Sequence, residues 1–366
     1  MNLRFPTALF HSLPFLGAIF LAACSGPTLP TARPPLDPAV YENKLHGAWQ
    51  ATMVANHTGL VHEGIYLAEP SSADSIELVL LDEWSTDDDT TIEWVYLHLL
   101  ETHGLEPTYE QIRDEWVAHL NHDIWVSARR ARDLMDEGVV PPDTSDPELN
   151  PLGVWSIGAQ LQTELFGMLA PGLPNVAMNN ARKFARVTNS GLAVEASAFY
   201  VHLYAEAFYE DDVVVLIDGA QAAFTADSEI YQIVAQVKAW HVESENDWRP
   251  VREQIRVAYD LDPDWTASKV NFASTIMALL YGKGDMMQTV TIAALAGWDA
   301  DNNMTTAAGL LGIISGFDNL PLEIQTSTDI YFNEDGTGDL PEYDSVRNIA
   351  RRTAVLGLET VDFYTD

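Results

Sequence analysis

The stretch Ser85-Thr86-Asp87-Asp88-Asp89-Thr90-Thr91-Ile92-Glu93 sets three adjacent carboxylates at the head of an apolar run. Behind it Ile92, Val95, Tyr96 and Leu99 recur at i, i+3, i+4 and i+7, which predicts a helix over 90–102 with one buried face. A helix N-terminus favours negative side chains by about 0.3–1 kcal/mol each, and Thr90 with Glu93 has the spacing of a capping box. One aspartate caps a helix, whereas three repel one another. The excess calls for a cation, and oxygen-only ligands point to a divalent one.

The same helical period runs outward from this segment, with little of the period-2 alternation that strands require. Helices are expected at 41–54, 109–120, 163–169, 175–186, 192–209, 217–241, 248–259, 270–281, 285–296 and 304–315, with a loop at 55–64 and a long one at 138–153. Hydrophobic residues make up 47% of the 366 and charged residues only 20%, enough to fill a core. No internal repeat interrupts the pattern. The expectation is all-α: a single multi-helical domain over 41–366.

The N-terminus reads differently. Arg4, an apolar run over 13–23 and Leu21-Ala22-Ala23-Cys24 resemble a bacterial lipoprotein signal peptide over 1–23 with its lipobox, followed by a lipidated Cys24 and a Pro-rich tether over 24–40. Cys24 is the only cysteine, so no disulfide forms and no thiol is left for catalysis or metal binding. The expected location is the cell envelope, on the outer membrane in a Gram-negative host because Ser25 follows the cysteine. A net charge of −35 repels nucleic acid and anionic headgroups, leaving the N-terminal lipid as the one membrane contact.

A second acidic cluster, Trp298-Asp299-Ala300-Asp301-Asn302-Asn303, follows the helix end at Gly297. Residues two apart on a helix point about 200° away from each other, so Asp299 and Asp301 converge only if they lie in an extended turn entering the helix at 304. Such ligands suit Mg²⁺, Mn²⁺ or Ca²⁺ rather than zinc. Helix capping explains either cluster taken alone.

Taken together, Thr86-Asp87-Asp88-Asp89-Thr90 and Gly297-Trp298-Asp299-Ala300-Asp301 resemble the paired Thr-Asp-Asp-Thr and Gly-Gly-Asp-Thr-Asp-Thr motifs of the ADP-ribosylglycohydrolase family, over residues 46–320. Gly59 and Glu63 match the Gly and Glu closing a further family motif. The resemblance implies an all-α domain around two Mg²⁺ (or Mn²⁺) ions and no organic cofactor. It implies Asp88 and Asp89 as paired ligands, with Asp87 at the first Thr position, Thr90 closing the motif, and Asp299, Asp301 and Asn302 from the second cluster. Glu63 becomes the catalytic carboxylate, on a loop near the scissile ribose. Asn56, His57 and His62 lie on or beside that loop and are candidates to bind substrate. Asn56 replaces a family Asp, Ala55 a Gly, Trp298 the second Gly, and Ala300 and Asn302 the two Thr.

The activity this resemblance implies is hydrolysis of an ADP-ribosyl or related N- or O-ribosyl linkage. Two alternatives stay open: a lipid-anchored pseudoenzyme or binding protein on the same fold, and a hydrolase of another exported nucleoside or sugar conjugate. Two remaining features carry no expectation of a site. His119 and His122 are spaced for one helix face but have no further partner in the sequence. The acidic stretch over 333–340 lacks the closing Glu of a calcium loop and reads as a Gly-rich turn.

Overall fold

Helix α1 (Pro38–Gly59) opens the fold, with Asp37 capping the amides of Ala39 and Val40 and Pro38 in the first turn, where a missing N–H costs nothing. The computed structural model describes Met1 and residues 33–85, 88–121, 124–244, 246–262, 264–333 and 337–365. Residues 2–23 of the expected signal peptide, Cys24 and the tether as far as residue 32 lie outside the described residues, and the last three expected tether residues, 38–40, belong to α1. The chain divides at Pro35, and everything from Leu36 to the C-terminus belongs to one unit.

After α1 come α2 (Asp88–His103), α3 (Tyr109–His119), α4 (Val126–Asp136), the short α5 (Glu164–Met168), α6 (Pro174–Ala185) and α7 (Leu192–Ala207). Then follow α8 (Val213–Ala222), α9 (Glu229–Glu243), α10 (Arg249–Tyr259), α11 (Ser268–Gly282), α12 (Met286–Ala296), α13 (Ala300–Ser315) and the short α14 (Leu322–Gln325). A two-stranded antiparallel hairpin, β1 (Ile330–Phe332) and β2 (Tyr343–Ser345), leads into α15 (Val346–Thr365). Among the described residues this hairpin is the only sheet, so the all-α expectation holds. No described helix is long and apolar enough to cross a membrane.

Four helices, α1, α7, α11 and α13, are buried nearly all round and form the centre. Helices α1 and α13 approach most closely, and glycine allows it: a Cβ on Gly47 would stand 2.5 Å from the Gly312 carbonyl oxygen. Lys44 closes the far end by donating to the Ile313 carbonyl at 2.8 Å, a cation at a helix C-terminus. At the near end of the same pair sit Gly59 and Asp301.

Four expectations are corrected. Residues 55–59 are not loop but the last turn and a half of α1, held by burial against α13 and by the Thr58 hydroxyl donating to the Val54 carbonyl at 2.7 Å. The expected helix 217–241 is two, broken before Ser228, whose hydroxyl caps the amide of Tyr231. Helix α13 begins at Ala300 rather than at 304. Glu93 does not close a capping box with Thr90, because its carboxylate turns inward to accept the Leu165 amide at 2.5 Å, at the start of α5. The hairpin, α4 and α15 were not foreseen. The hairpin anchors the segment that feeds α2: the Trp84 amide donates to the Ile330 carbonyl and the Phe332 amide to that of Trp84.

Candidate active site

The ends of three elements meet at one cavity of about 480 Å³. Asp88 and Asp89 occupy the first turn of α2, where the positive end of the helix dipole faces them. Asp299 is the N-cap of α13 and Asp301 lies in its first turn. The two therefore converge without an extended turn: the cap residue has non-helical angles (φ −84°, ψ 74°), which turns its side chain back over the helix end. Glu63 comes from the turn after α1, and one carboxylate oxygen from each of Glu63, Asp299 and Asp301 lies within 4.8 Å of the others.

Close packing fixes this convergence. A Cβ on Gly59 would fall 2.1 Å from the Asp301 Cα, so the end of α1 sits directly on the start of α13. The Gly64 amide donates to the Trp298 carbonyl at 2.9 Å, which ties the Glu63 turn to the second cluster. Trp298 itself is fully buried with a left-handed backbone (φ 61°), a conformation that costs a bulky residue on the order of 1–3 kcal/mol. Its indole offsets that strain, donating to Asp260 at 3.1 Å and lying 4.0 Å beneath the Arg252 guanidinium. Arg252 in turn donates to the carbonyls of Tyr66, Leu67, Ala68 and Ala296, and burial lowers its pKa to about 10.

Side-chain amides orient the carboxylates. Asp89 accepts from Asn56 at 2.9 Å and from Asn302 at 3.3 Å. Asn56 is thus a buried partner of Asp89 on α1, and Asn302 turns its amide nitrogen toward the cluster. The Asp299 amide donates to Asn271 Oδ1 at 3.1 Å, and Asn303 donates to the same oxygen at 2.9 Å while accepting from Thr275. Asn271 was missed in the sequence, although an amide inside an otherwise apolar helix was a visible signal, and Asn303, at the end of the second cluster, was given no role there.

The remaining candidates are placed as follows. Thr90 is buried in the first turns of α2. Asp87 lies outside the described residues. His57 contacts the Ser85 carbonyl at 3.1 Å and stacks on Trp84, while His62 faces Tyr66, and neither lines the cavity. The cavity walls bring in Trp125 and Trp265 at the rim and Asp264, which gave no sequence signal, and Ser156-Ile157-Gly158, part of a central segment (155–160) whose sequence also resembles a bacterial branch of the family; the Ile157 amide bridges it to 266–268 on the Thr266 carbonyl at 2.8 Å. The Trp265 indole donates to Glu63 at 3.1 Å.

Six carboxylates line this cavity, Glu63, Asp88, Asp89, Asp264, Asp299 and Asp301, and its described lining holds no Lys, Arg or His. Burial pushes Asp299 well above the ordinary carboxylate range, and the charges of Asp301, Glu63 and Asp88 add to it. Without a cation, the proton that Asp299 holds more tightly is what eases the repulsion at this end of the cluster. An all-oxygen donor set with this charge fits a hard divalent ion, and Glu63, Asp299 and Asp301 form a triad able to chelate one.

A multi-helical domain whose acidic helix ends converge on one cavity able to hold a divalent cation is consistent with a metal-dependent hydrolase. The family model for ADP-ribosylglycohydrolase matches residues 37–355, and the chain belongs to that family of glycosidases. Among solved structures, a chain titled "ADP-ribosylglycohydrolase-related protein complex" shares the fold with a TM-score of 0.62 at 17% identity, over 87% of this chain and 99% of that one. Comparison with curated proteins gives no match.

Proposed function

We propose that this protein hydrolyses an ADP-ribosyl or related N- or O-ribosyl glycosidic linkage, with two Mg²⁺ (or Mn²⁺) ions held by Asp88, Asp89, Asp299 and Asp301 and flanked by Asp87, Thr90 and Asn302. The observation that carries the reading is the convergence of the α2 and α13 carboxylates with Glu63 on one cavity whose described lining supplies no balancing side-chain cation. When bound, the ions supply Lewis-acid polarisation and orientation of ribose hydroxyls and water.

The protein's own groups do the rest. Glu63, aimed by Trp265, acts as the acid–base carboxylate at the anomeric carbon, where an oxocarbenium-like transition state needs a proton moved to or from oxygen or nitrogen. Asn56 and Asn302 hold Asp89 in one orientation. Trp125 and Trp265 offer flat apolar faces at the rim for the nucleoside part of a substrate. ADP-ribose release from ADP-ribosyl-arginine and ADP-ribosyl-serine peptides, with and without Mg²⁺, tests the reading. Release that chelation abolishes supports it, and binding of ADP-ribose without release makes the protein a ligand-binding member of the family.

The location is proposed from Leu21-Ala22-Ala23-Cys24: export and lipid attachment at Cys24. Mass spectrometry of the mature N-terminus expects a diacylglyceryl group on Cys24, and an unmodified chain retaining residues 1–23 would count against it.

A further inference from the structure

Away from the cavity, α2, α3 and the segment over 337–340 meet at a second cluster of different chemistry. Glu115 and His119, four apart on α3, share one face, and His98 reaches them from α2. His98 Nδ1 lies 2.5 Å from Glu115 Oε1, while His119 Nε2 is 3.7 Å from that oxygen and 3.5 Å from Asp339 Oδ1. One ligand atom from each of His98, Glu115 and His119 lies within 4.8 Å of the other two. The two imidazole rings stand nearly perpendicular, 83° apart, rather than stacked.

The tautomer of His119 follows from geometry. Its Nδ1 is 2.6 Å from the Thr337 carbonyl oxygen, which can only accept, so Nδ1 carries the proton and Nε2 turns a lone pair toward Glu115 and Asp339. A ligating histidine in a metal site is fixed in the same way, by a carbonyl on its second nitrogen.

We propose that His98 Nδ1, Glu115 Oε1 and His119 Nε2 form a second metal site for a zinc-type ion, structural in role, with exposed Asp339, beside His119 but outside the triad, swinging in as the fourth ligand. Zinc bonds of about 2.0–2.2 Å in a tetrahedron set ligand atoms about 3.4 Å apart, and the two separations made by His119 are already near that value. The His98–Glu115 contact is shorter because a proton now bridges it, and the metal replaces that proton as the pair opens. Two imidazoles with two carboxylates suit zinc, whereas the oxygen-only cavity suits magnesium. Glu115 and His119 are buried and Asp339 is exposed, so an ion enters from the Asp339 side. Once bound, it clamps the 337–340 segment to α2 and α3.

The test is zinc titration of the full chain, stripped with chelator and then held in excess Mg²⁺, alongside Co²⁺ titration read by visible absorption. One equivalent of Zn²⁺ is expected to bind in the wild type and in an Asp299→Asn/Asp301→Asn variant, with the intense bands of four-coordinate Co²⁺ in both. His98→Gln is expected to weaken zinc at least about tenfold. Asp339→Asn, on an exposed side chain that cannot threaten folding, is expected to weaken it as well. A cavity variant that binds no Zn²⁺, or zinc affinity unchanged by both His98→Gln and Asp339→Asn, would overturn the proposal and leave His98 and Glu115 as an ion pair. Because the cavity variant is inactive by design, this outcome is independent of whether the hydrolase reading stands.

Discussion

The Asp299–Asp301 cluster and the Glu93–Glu164 pair are both buried carboxylates at helix starts, yet the fold treats them in opposite ways. The first opens onto a cavity with room for ions and substrate. The second is sealed in the core between α2, α5 and α13, with Glu93 accepting the Leu165 amide and Glu164 accepting the Thr306 hydroxyl at 2.7 Å. Burial raises the pKa of both members of the pair, that of Glu164 to about 7, and the charge of Glu164 raises Glu93 further. Negative charge that cannot reach water has two remedies, a cation or a proton. Access decides between them: the open cluster can take up a cation, and the closed pair is left with protons.

The largest effect should come from the open cluster. Asp299→Asn or Asp301→Asn is expected to lower ADP-ribosyl hydrolysis about 10³-fold, on the scale of losing one electrostatic group from a catalytic centre. The same Asp299→Asn change removes a buried, repelled carboxyl, so the melting temperature of the metal-free protein should rise, as is common where function has been kept at the expense of stability. Loss of activity with a falling melting temperature would mean that the aspartate is structural and the contrast false.

The closed pair is tested by pH. A folded-state pKa above the unfolded value contributes stability that is complete below the unfolded pKa and disappears as pH rises through the folded one. For Glu164 the window runs from about 4.5 to about 7, and the stability lost across it is on the order of 3 kcal/mol. Denaturant unfolding in chelator should show the wild type losing stability over that window more steeply than Glu164→Gln. Parallel curves would show that the pair carries no proton and that access does not separate the two clusters.

Much of the open cluster was legible because its members are local in sequence: an aspartate triplet before an apolar period, and a two-apart pair after a glycine. The closed pair was not. Glu93 looked like the partner of Thr90 three residues away, and only the arrival of α5 from residue 164 gives its carboxylate a better donor. The same non-locality hid Trp265, Asn271 and His98, each of which acquires its role from a residue 17 or more positions distant. Asn56, His57, Thr58 and Gly59 carried the composition of a helix end, but burial against α13 extended the helix through them, tertiary packing overriding weak local propensity.

A smaller effect separates ligands from their supports. Asn302→Ala leaves every carboxylate in place and removes one of the two amides that hold Asp89, so metal affinity should fall about 10–100-fold, recoverable by raising Mg²⁺. If Asn302→Ala were as inactive as Asp301→Asn even at saturating Mg²⁺, the side chain would be a ligand in its own right and the second cluster would extend one residue further along α13.

The mildest change probes the rim. Trp265→Phe keeps a flat apolar face at the cavity mouth but deletes the indole N–H that holds Glu63. One net hydrogen bond is worth about 1 kcal/mol, or roughly fivefold in rate if it is felt only in the transition state. The expected result is a kcat about fivefold lower with KM and metal affinity unchanged, because Glu63 would still reach the anomeric carbon but spend less time aimed at it. A weaker metal affinity instead would place Glu63 among the ligands, which its proximity to Asp299 and Asp301 also permits. The open cluster would then be a three-carboxylate metal seat, and the acid–base group would have to be sought among the other carboxylates of the cavity, with Asp264 beside Trp265 the first to substitute.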